Sequence, residues 1–151
     1  ICRDFIYDAM MAANDKAPEH AIEFFHGYTY SGHPVACAAA VATMELFAQE
    51  QLFARAGQMG QRLGDAMHSA LKGLPHVIGI RTLGLAGAVE LSGIAGLPGK
   101  RAYDIFMDCF QHGVLVRPAG ENLVLAPAFM VQDAQIDQMV STLADAIKRQ
   151  A

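Results

Sequence analysis

The sequence has no tryptophan, and only 17% of its residues are charged. Its 11 lysines and arginines form no cluster, and against 15 acidic residues they leave a net charge of −4. A nucleic-acid-binding protein needs a basic patch, so nucleic acid is a poor candidate partner. No apolar run reaches membrane-spanning length without an intervening Thr, Glu or Gln, and no signal peptide pattern is present. The sequence therefore predicts neither a nucleic-acid partner nor a membrane partner.

Cysteine is also scarce. Cys2, Cys37 and Cys109 are an odd number of residues at unrelated spacings, so they do not indicate a disulfide framework. We expect them to be reduced, buried thiols in a cytoplasmic protein.

Apolar residues, in contrast, make up 53% of the chain, which excludes a disordered protein. Such a surplus in 151 residues is typical of a piece of a larger or oligomeric protein, in which further protein covers the apolar surface. The chain begins at Ile1 rather than at a methionine, which agrees with that expectation.

Residues 26–34 form a polar, glycine-containing loop with the sequence HGYTYSGHP. An apolar segment, 35–47, follows it and contains only Thr43 and Glu45 as polar residues. Pro34 suits a first helical position, because its fixed φ and missing N–H cost nothing there. A helix that is apolar nearly all round is predicted to be buried. Its N-terminus favours an anion, since free N–H groups and the helix dipole point toward the loop.

The hydroxyl groups of this loop have two interpretations. Thr29 and Ser31 either bind local backbone groups, as hydroxyls near helix N-termini commonly do, or join backbone N–H groups in a phosphate-binding cradle. The residues alone leave both interpretations open. His26 and His33 do not predict a metal site, because no third ligand lies near them at ligand spacing.

Apolar spacing divides the chain into two parts near residue 50. The first part ends with the all-round apolar helix, whereas the next helix has a polar face, so we predict domains at 1–50 and 51–151. The order of helix and strand patterns in the second part predicts a small α+β sandwich, with helices covering one face of a mostly antiparallel sheet. The predicted helices are 4–13, 34–49, 51–71, 102–110 and 136–147, and the predicted strands are 77–81, 88–91, 114–117 and 123–126.

The segment HGYTYSGHPVACAAAVATMEL, residues 26–46, resembles the class III aminotransferases, which are pyridoxal-phosphate enzymes of fold type I. Within that family it is most similar to the ω-amino acid (β-alanine):pyruvate branch. The likeness extends over the chain but covers only the C-terminal part of such an enzyme. It implies an α/β fold, with 1–50 as the end of the large cofactor domain and 51–151 as the small α+β domain.

The resemblance also implies a cofactor and a dimer. In this family the threonine of the loop motif reaches the phosphate of pyridoxal 5'-phosphate held by the neighbouring subunit of a homodimer. We carry this cofactor-binding role to Thr29 and include its neighbour Tyr28.

Arg117 is the second residue that the resemblance singles out. It precedes Pro118 and so lies in extended backbone at a strand end, where a solvated hairpin residue is the simplest interpretation. The pattern VRPAGENLVLAPAF, residues 116–129, resembles the family segment whose arginine binds the substrate carboxylate and swings aside for substrates that lack one. A guanidinium suits this role, because it holds a carboxylate with two parallel hydrogen bonds.

The sequence offers no catalytic lysine. Transamination requires a lysine that holds the cofactor and moves a proton. None of the four lysines, Lys16, Lys72, Lys100 and Lys148, stands in a segment like the family's lysine motif. We therefore assign no catalytic residue to this chain and expect it to be inactive on its own.

The resemblance implies that the whole enzyme transfers an amino group from an ω-amino acid such as β-alanine to pyruvate. Its small-molecule partners are then an amino donor and a keto-acid acceptor. Alternatives are another class III activity, of the ornithine, γ-aminobutyrate or diaminopelargonate aminotransferase type, an aminomutase, or a non-catalytic α+β binding module.

Overall fold

The computed structural model describes residues 2–12, 18 and 27–150 of the chain. Its packing divides into two units, Ile1–Thr43 and Met44–Ala151, which are described separately. This division lies within helix α2 (Pro34–Gln49), and the domain boundary predicted at residue 50 stays a prediction. Among the described residues, no helix is both long and apolar enough to pass through a bilayer.

The first unit contains helix α1 (Asp4–Ala12) and the larger part of α2. The start of α2 at Pro34 confirms the position predicted from the restricted backbone of proline. Ala13, the predicted end of α1, and His26, the first residue of the predicted loop, lie outside the described residues.

Helix α2 is exposed in this chain, although its composition predicts burial. None of its residues is buried, and Val35 and Met44 are 72% and 73% exposed. An apolar surface indicates that a helix requires a covering partner, but it does not supply one. The predicted burial of α2 is therefore not found within the described part of the chain.

The cysteines require a similar correction. Cys109 is buried, as predicted, whereas Cys2 and Cys37 are exposed. Cys37 is exposed because it lies on α2, which has no buried residue.

The second unit is a four-stranded antiparallel sheet with three helices. The strands are β1 (Val77–Leu83), β2 (Ala86–Leu91), β3 (Arg117–Ala119) and β4 (Asn122–Leu125), in the spatial order β1-β2-β4-β3. Helix α3 (Leu52–Leu71) packs on β1 and β2, α4 (Lys100–Gln111) packs on β3 and β4, and α5 (Asp133–Arg149) packs on both helices. This arrangement confirms the predicted mixed fold, with helices over an antiparallel sheet.

The core of this unit lies between the helices and one face of the sheet. Each helix contributes the apolar stripe that its sequence predicts, and β2 and β4 contribute alternate residues. Full burial of each such side chain is worth about 1.5–3 kcal/mol. The largest fully buried side chains are Leu63, Met67, Leu71, Val89, Leu91, Ile105, Val116, Leu123, Leu125, Ile136, Leu143 and Ile147.

Strand β3 differs from the predicted strand 114–117, because it begins only at Arg117. Val114 and Val116 are buried and Leu115 is 74% exposed, so this segment alternates like a strand without being paired. The partner strand β4 ends at Leu125, two residues before a proline, which cannot donate a ladder hydrogen bond. Residues 114 and 115 therefore have no strand beside them.

Candidate functional site

The turn that leads into α2 is built on two consecutive backbone hydrogen bonds. The N–H of Ser31 donates to the carbonyl of Tyr28 at 3.0 Å, and the N–H of His33 donates to the carbonyl of Tyr30 at 3.2 Å. Gly32 has a φ of +71°, a conformation that residues with a Cβ rarely adopt. This glycine is therefore needed for the tight entry into the helix.

The two small hydroxyl residues of the turn have different surroundings. Ser31 Oγ accepts the N–H of Tyr28 at 3.3 Å, which is the local bond that the first interpretation predicts. The Thr29 side chain is exposed and makes no hydrogen bond with any described residue. The ring of Tyr28, 76% exposed, lies next to it in sequence. Ser31 Oγ is thus used by the turn as an acceptor, whereas the Thr29 hydroxyl is unbonded within the described residues.

His33 caps the first turn of α2. Its carbonyl accepts the N–H of Cys37 at 2.9 Å, and its Nδ1 atom accepts the N–H of Ala36 at 3.4 Å. The Nδ1 atom of the ring is therefore engaged with the helix. Across the described ranges, no group of three or more His, Cys, Asp or Glu side chains is placed to hold a metal ion.

Arg117 lies in the second unit, as the first residue of the edge strand β3. Cross-strand pairing connects it to Val124, then to Ala88, and finally to Arg81 on the opposite edge. The residues on either side of this row, such as Val89 and Leu123, are fully buried against the helices. Because side chains alternate along a strand, the row from Arg117 to Arg81 lies on the open face of the sheet.

The two arginines of this open face are held differently. Arg81 Nη1 donates to Glu90 Oε2 at 2.7 Å, and Nη2 donates to Asn122 Oδ1 at 2.6 Å. Arg117 is exposed, and its guanidinium has no acceptor among the described residues. The sequence pattern identified Arg117 but not this shared face, since only strand register shows that Arg81 and Arg117 belong to one row.

The hairpin that carries Arg117 is held by Glu121. The turn between β3 and β4 has only two residues, Gly120 at φ +58° and Glu121, instead of the predicted loop 118–122. Glu121 Oε1 accepts the N–H of Gly99 at 2.6 Å, and its carbonyl accepts the N–H of Leu91 at 2.9 Å. The turn is therefore tied both to β2 and to the start of α4.

The Cys109 thiol and the ammonium groups of Lys100 and Lys148 are engaged in the packing and ion pairs of the second unit. Burial raises the pKa of the Cys109 thiol to about 11, so it is protonated and unreactive at neutral pH. Lys100 Nζ lies 2.6 Å from Asp104 Oδ2, and Lys148 Nζ lies 3.1 Å from Asp145 Oδ1. Such exposed, ion-paired ammonium groups are poor nucleophiles.

Comparison with known proteins places these observations in a family. The family described as aminotransferase class III matches residues 2–147. An ω-aminotransferase of Caulobacter vibrioides is 46% identical over 91% of this chain and 30% of its own length. A β-alanine–pyruvate aminotransferase of Pseudomonas aeruginosa is 37% identical over 94% of this chain and 31% of its own length.

Solved structures of transaminases have the same fold as this chain. A thermostable ω-transaminase variant from Pseudomonas jessenii superposes with a TM-score of 0.78 and 30% identity, over 85% of this chain and 30% of that protein. A transaminase from an ancestral-reconstruction study superposes with a TM-score of 0.80 and 28% identity, over 97% of this chain and 33% of that protein. The chain spans about 30% of the length of the curated relatives it matches. Its sequence and its fold together show that this chain belongs to the class III aminotransferase family.

Proposed function

We propose that this chain is part of a pyridoxal-phosphate-dependent aminotransferase that moves an amino group from an ω-amino acid such as β-alanine to pyruvate. The observation that carries this proposal is Arg117, an exposed guanidinium without an acceptor among the described residues. It stands on a sheet face where the other arginine, Arg81, is already bound. Both β-alanine and pyruvate carry a carboxylate, which a free guanidinium fork binds well.

The turn before α2 supports the cofactor proposal. Pyridoxal phosphate, when bound, supplies the carbonyl group that takes up and returns the amino group. The exposed Thr29 hydroxyl and the N-terminus of α2 are a donor set that suits its phosphate. We propose that Thr29, with Tyr28 beside it, contacts the phosphate of a neighbouring subunit, so that the enzyme works as a homodimer.

Arg117 has a defined task in this scheme. It binds the carboxylate of the amino donor and then that of the keto acid, and thereby orients each substrate for proton transfer by a lysine that this chain does not provide. For an amine without a carboxylate, the guanidinium moves aside. Membership of an aminotransferase family argues against the alternative of a non-catalytic binding module. The preferred amino donor separates the proposal from the ornithine, γ-aminobutyrate, diaminopelargonate and aminomutase activities.

Substitution of Arg117 in the full-length enzyme tests the proposal. Arg117→Ala should lower kcat/KM for β-alanine and pyruvate by a factor that corresponds to roughly 2–4 kcal/mol, by analogy with the truncation of a hydrogen-bonded charge pair. The half-reaction of a simple alkyl or aryl amine should be nearly unchanged. Arg117→Lys should restore little, since an ammonium does not reproduce the planar fork.

Arg81→Ala is the matched control on the same sheet face. Arg81 is engaged with Glu90 and Asn122, so its loss should affect both classes of amine equally. Equal losses for the two classes in Arg117→Ala would show that Arg117 is not the carboxylate anchor.

A further inference from the structure

The loop of residues 126–132, which joins β4 to α5, runs beside the chain segment that precedes Arg117. Arg117 pairs with Val124 in an antiparallel ladder, so the residues after β4 return alongside those before β3. A cavity of about 380 Å³ is lined from one side by Val114 and Leu115 and from the other by the loop. Leu115 and Arg117 are both exposed and flank the buried Val116, so they lie on the same side of this segment.

Arg55 of α3 holds this loop from 74 residues away in sequence. Its Nε atom donates to the carbonyl of Phe129 at 3.0 Å, and its Nη2 atom donates to the carbonyl of Val131 at 2.7 Å. Val131 is 5% exposed, and the Arg55 side chain is half-buried. The planar fork of the guanidinium thus binds two carbonyls of an irregular segment that no neighbouring strand or helix satisfies.

An aromatic contact fixes the same loop. The Phe129 ring meets the Phe47 ring edge to face, with 5.1 Å between their centroids, and Phe47 is equally close to Phe53. Such pairs add about 0.5–1.5 kcal/mol to the apolar area that they bury. Arg55 and Phe47 therefore hold one side of the loop, while Met130, 76% exposed, lies on a side left open.

We propose that Arg55 is a positioning residue for Arg117, a role that rests on the proposed function of Arg117 as carboxylate anchor. By holding the carbonyls of Phe129 and Val131, Arg55 keeps the loop on the far side of the cavity from Leu115, whose side of the segment Arg117 shares. Without Arg55, two carbonyls lose their donors and the loop is free to shift toward the segment that leads into β3. The backbone segment that carries Arg117 then loses its set position, and the guanidinium is presented to the carboxylate less well.

The test compares Arg55→Ala with Arg62→Ala in the full-length enzyme. Arg62 lies on the same helix and also binds two groups, the carboxylates of Asp133 and Asp137, but both of these partners belong to α5 and not to the loop. Arg55→Ala should lower kcat/KM for β-alanine roughly 5- to 20-fold, mainly through KM, by analogy with the loss of one or two hydrogen bonds. In Arg55→Ala, kcat/KM for an amine without a carboxylate should change less than about twofold. Arg62→Ala should leave the ratio of the kcat/KM values for β-alanine and this amine unchanged.

The double variant Arg55→Ala/Arg117→Ala separates this inference from the proposed function. If Arg55 acts through Arg117, the ratio of kcat/KM for β-alanine to kcat/KM for the amine should be the same in the double variant as in Arg117→Ala alone. Suppose that Arg117→Ala lowers kcat/KM for β-alanine more than for the amine, but Arg55→Ala lowers both values equally. The positioning role is then wrong while the proposed function stands. If Arg117→Ala itself is not selective, both are wrong. Should Arg55→Ala fail to fold, Arg55→Lys, which reaches one carbonyl, must show a smaller but equally selective loss.

Discussion

Thr29 and Ser31 differ in what their hydroxyl groups do, although they stand two residues apart in the same turn. Ser31 binds the N–H of Tyr28, while Thr29 has no hydrogen-bond partner among the described residues. An exposed threonine hydroxyl contributes little to folding, and a phosphate contact is the role that we propose for it. Ser31 uses its oxygen as an acceptor and keeps its O–H, so the family resemblance, rather than the turn, singles out Thr29 as the proposed phosphate contact.

Loss of the Thr29 hydroxyl should weaken cofactor retention without affecting the fold. In the full-length enzyme, Thr29→Ala should reduce the affinity for pyridoxal phosphate by about 1–3 kcal/mol, the usual worth of one hydrogen bond to a charged group. Equilibrium dialysis of the cofactor measures this change. Thr43→Ala is the control, because that hydroxyl donates to the carbonyl of Ala39 within α2. Equal affinities in the two variants would contradict the assignment.

At the scale of elements, α3 and the β1–β2 hairpin meet more closely than a side chain allows. A Cβ added to Gly60 would lie 2.4 Å from the backbone carbonyl group of Gly84, whereas one added to Gly57 meets nothing within 4 Å. Gly60 is therefore required for the approach of helix and hairpin, and Gly57 is not.

Gly60→Ala should lower the free energy of unfolding by about 1–3 kcal/mol, because backbone atoms must move to admit the methyl group. Gly57→Ala should be neutral or stabilising by up to about 1 kcal/mol, since alanine is the better helix former. Urea unfolding monitored by circular dichroism compares the two variants. A Gly60→Ala protein as stable as Gly57→Ala would refute the close contact.

The ends of α4 and α5 are joined by a carboxylate. Asp108 accepts two hydrogen bonds from Arg149, at 2.7 and 2.9 Å, and lies 2.9 Å from His112 Nδ1. The hydrogen bonds from Arg149 lower the pKa of Asp108 below its usual value of 3.8. The pair therefore stabilises the fold at pH values above that usual value, and the contribution is lost as pH falls through the lowered pKa.

Asp108→Asn should consequently reduce stability at neutral pH and reduce it progressively less in acid. The difference in unfolding free energy between the two proteins should shrink between about pH 5 and pH 2, where the native carboxylate becomes protonated. Urea titrations across this range measure it. A difference that stays constant with pH would mean that the ion pair makes no contribution to stability.

At the scale of the whole molecule, none of the lysines in the described part of the chain has the surroundings that a cofactor-bearing lysine requires. Lys100 and Lys148 are in exposed ion pairs and Lys72 is exposed at the end of α3, while Lys16 lies outside the described residues. A cofactor-bearing lysine must attack a carbonyl as a neutral amine, which a solvated, ion-paired ammonium does not favour.

The 151-residue chain should therefore show no transaminase turnover. After incubation with pyridoxal phosphate and reduction with borohydride, peptide mass spectrometry should find only low, scattered labelling of its lysines. The full-length enzyme, treated in the same way, should carry one stoichiometric label outside these four positions. Turnover together with full labelling of a single lysine in the 151-residue chain would overturn this expectation.

Local sequence determined the helices, most of the strands and the family. Apolar spacing predicted α1, α3, α4 and α5, because a helix repeats its stripe within one segment, and an all-round apolar run that starts at Pro34 predicted α2. The segments around Thr29 and Arg117 carried the resemblance to class III aminotransferases, which the comparisons confirm. The roles of those two residues stay predictions.

Only the tertiary structure decided which distant groups meet. The alternation of residues 114–117 predicted a strand, yet β3 begins at Arg117, because a strand exists only where a partner supplies hydrogen bonds. The bonds from Arg55 to Phe129 and Val131 join segments more than 70 residues apart, and the contact of Gly60 with Gly84 depends on how a helix docks on a hairpin. The periodicity of a sequence indicates which face of a helix or strand is apolar. Strand pairing and helix packing determine which other element contacts that face.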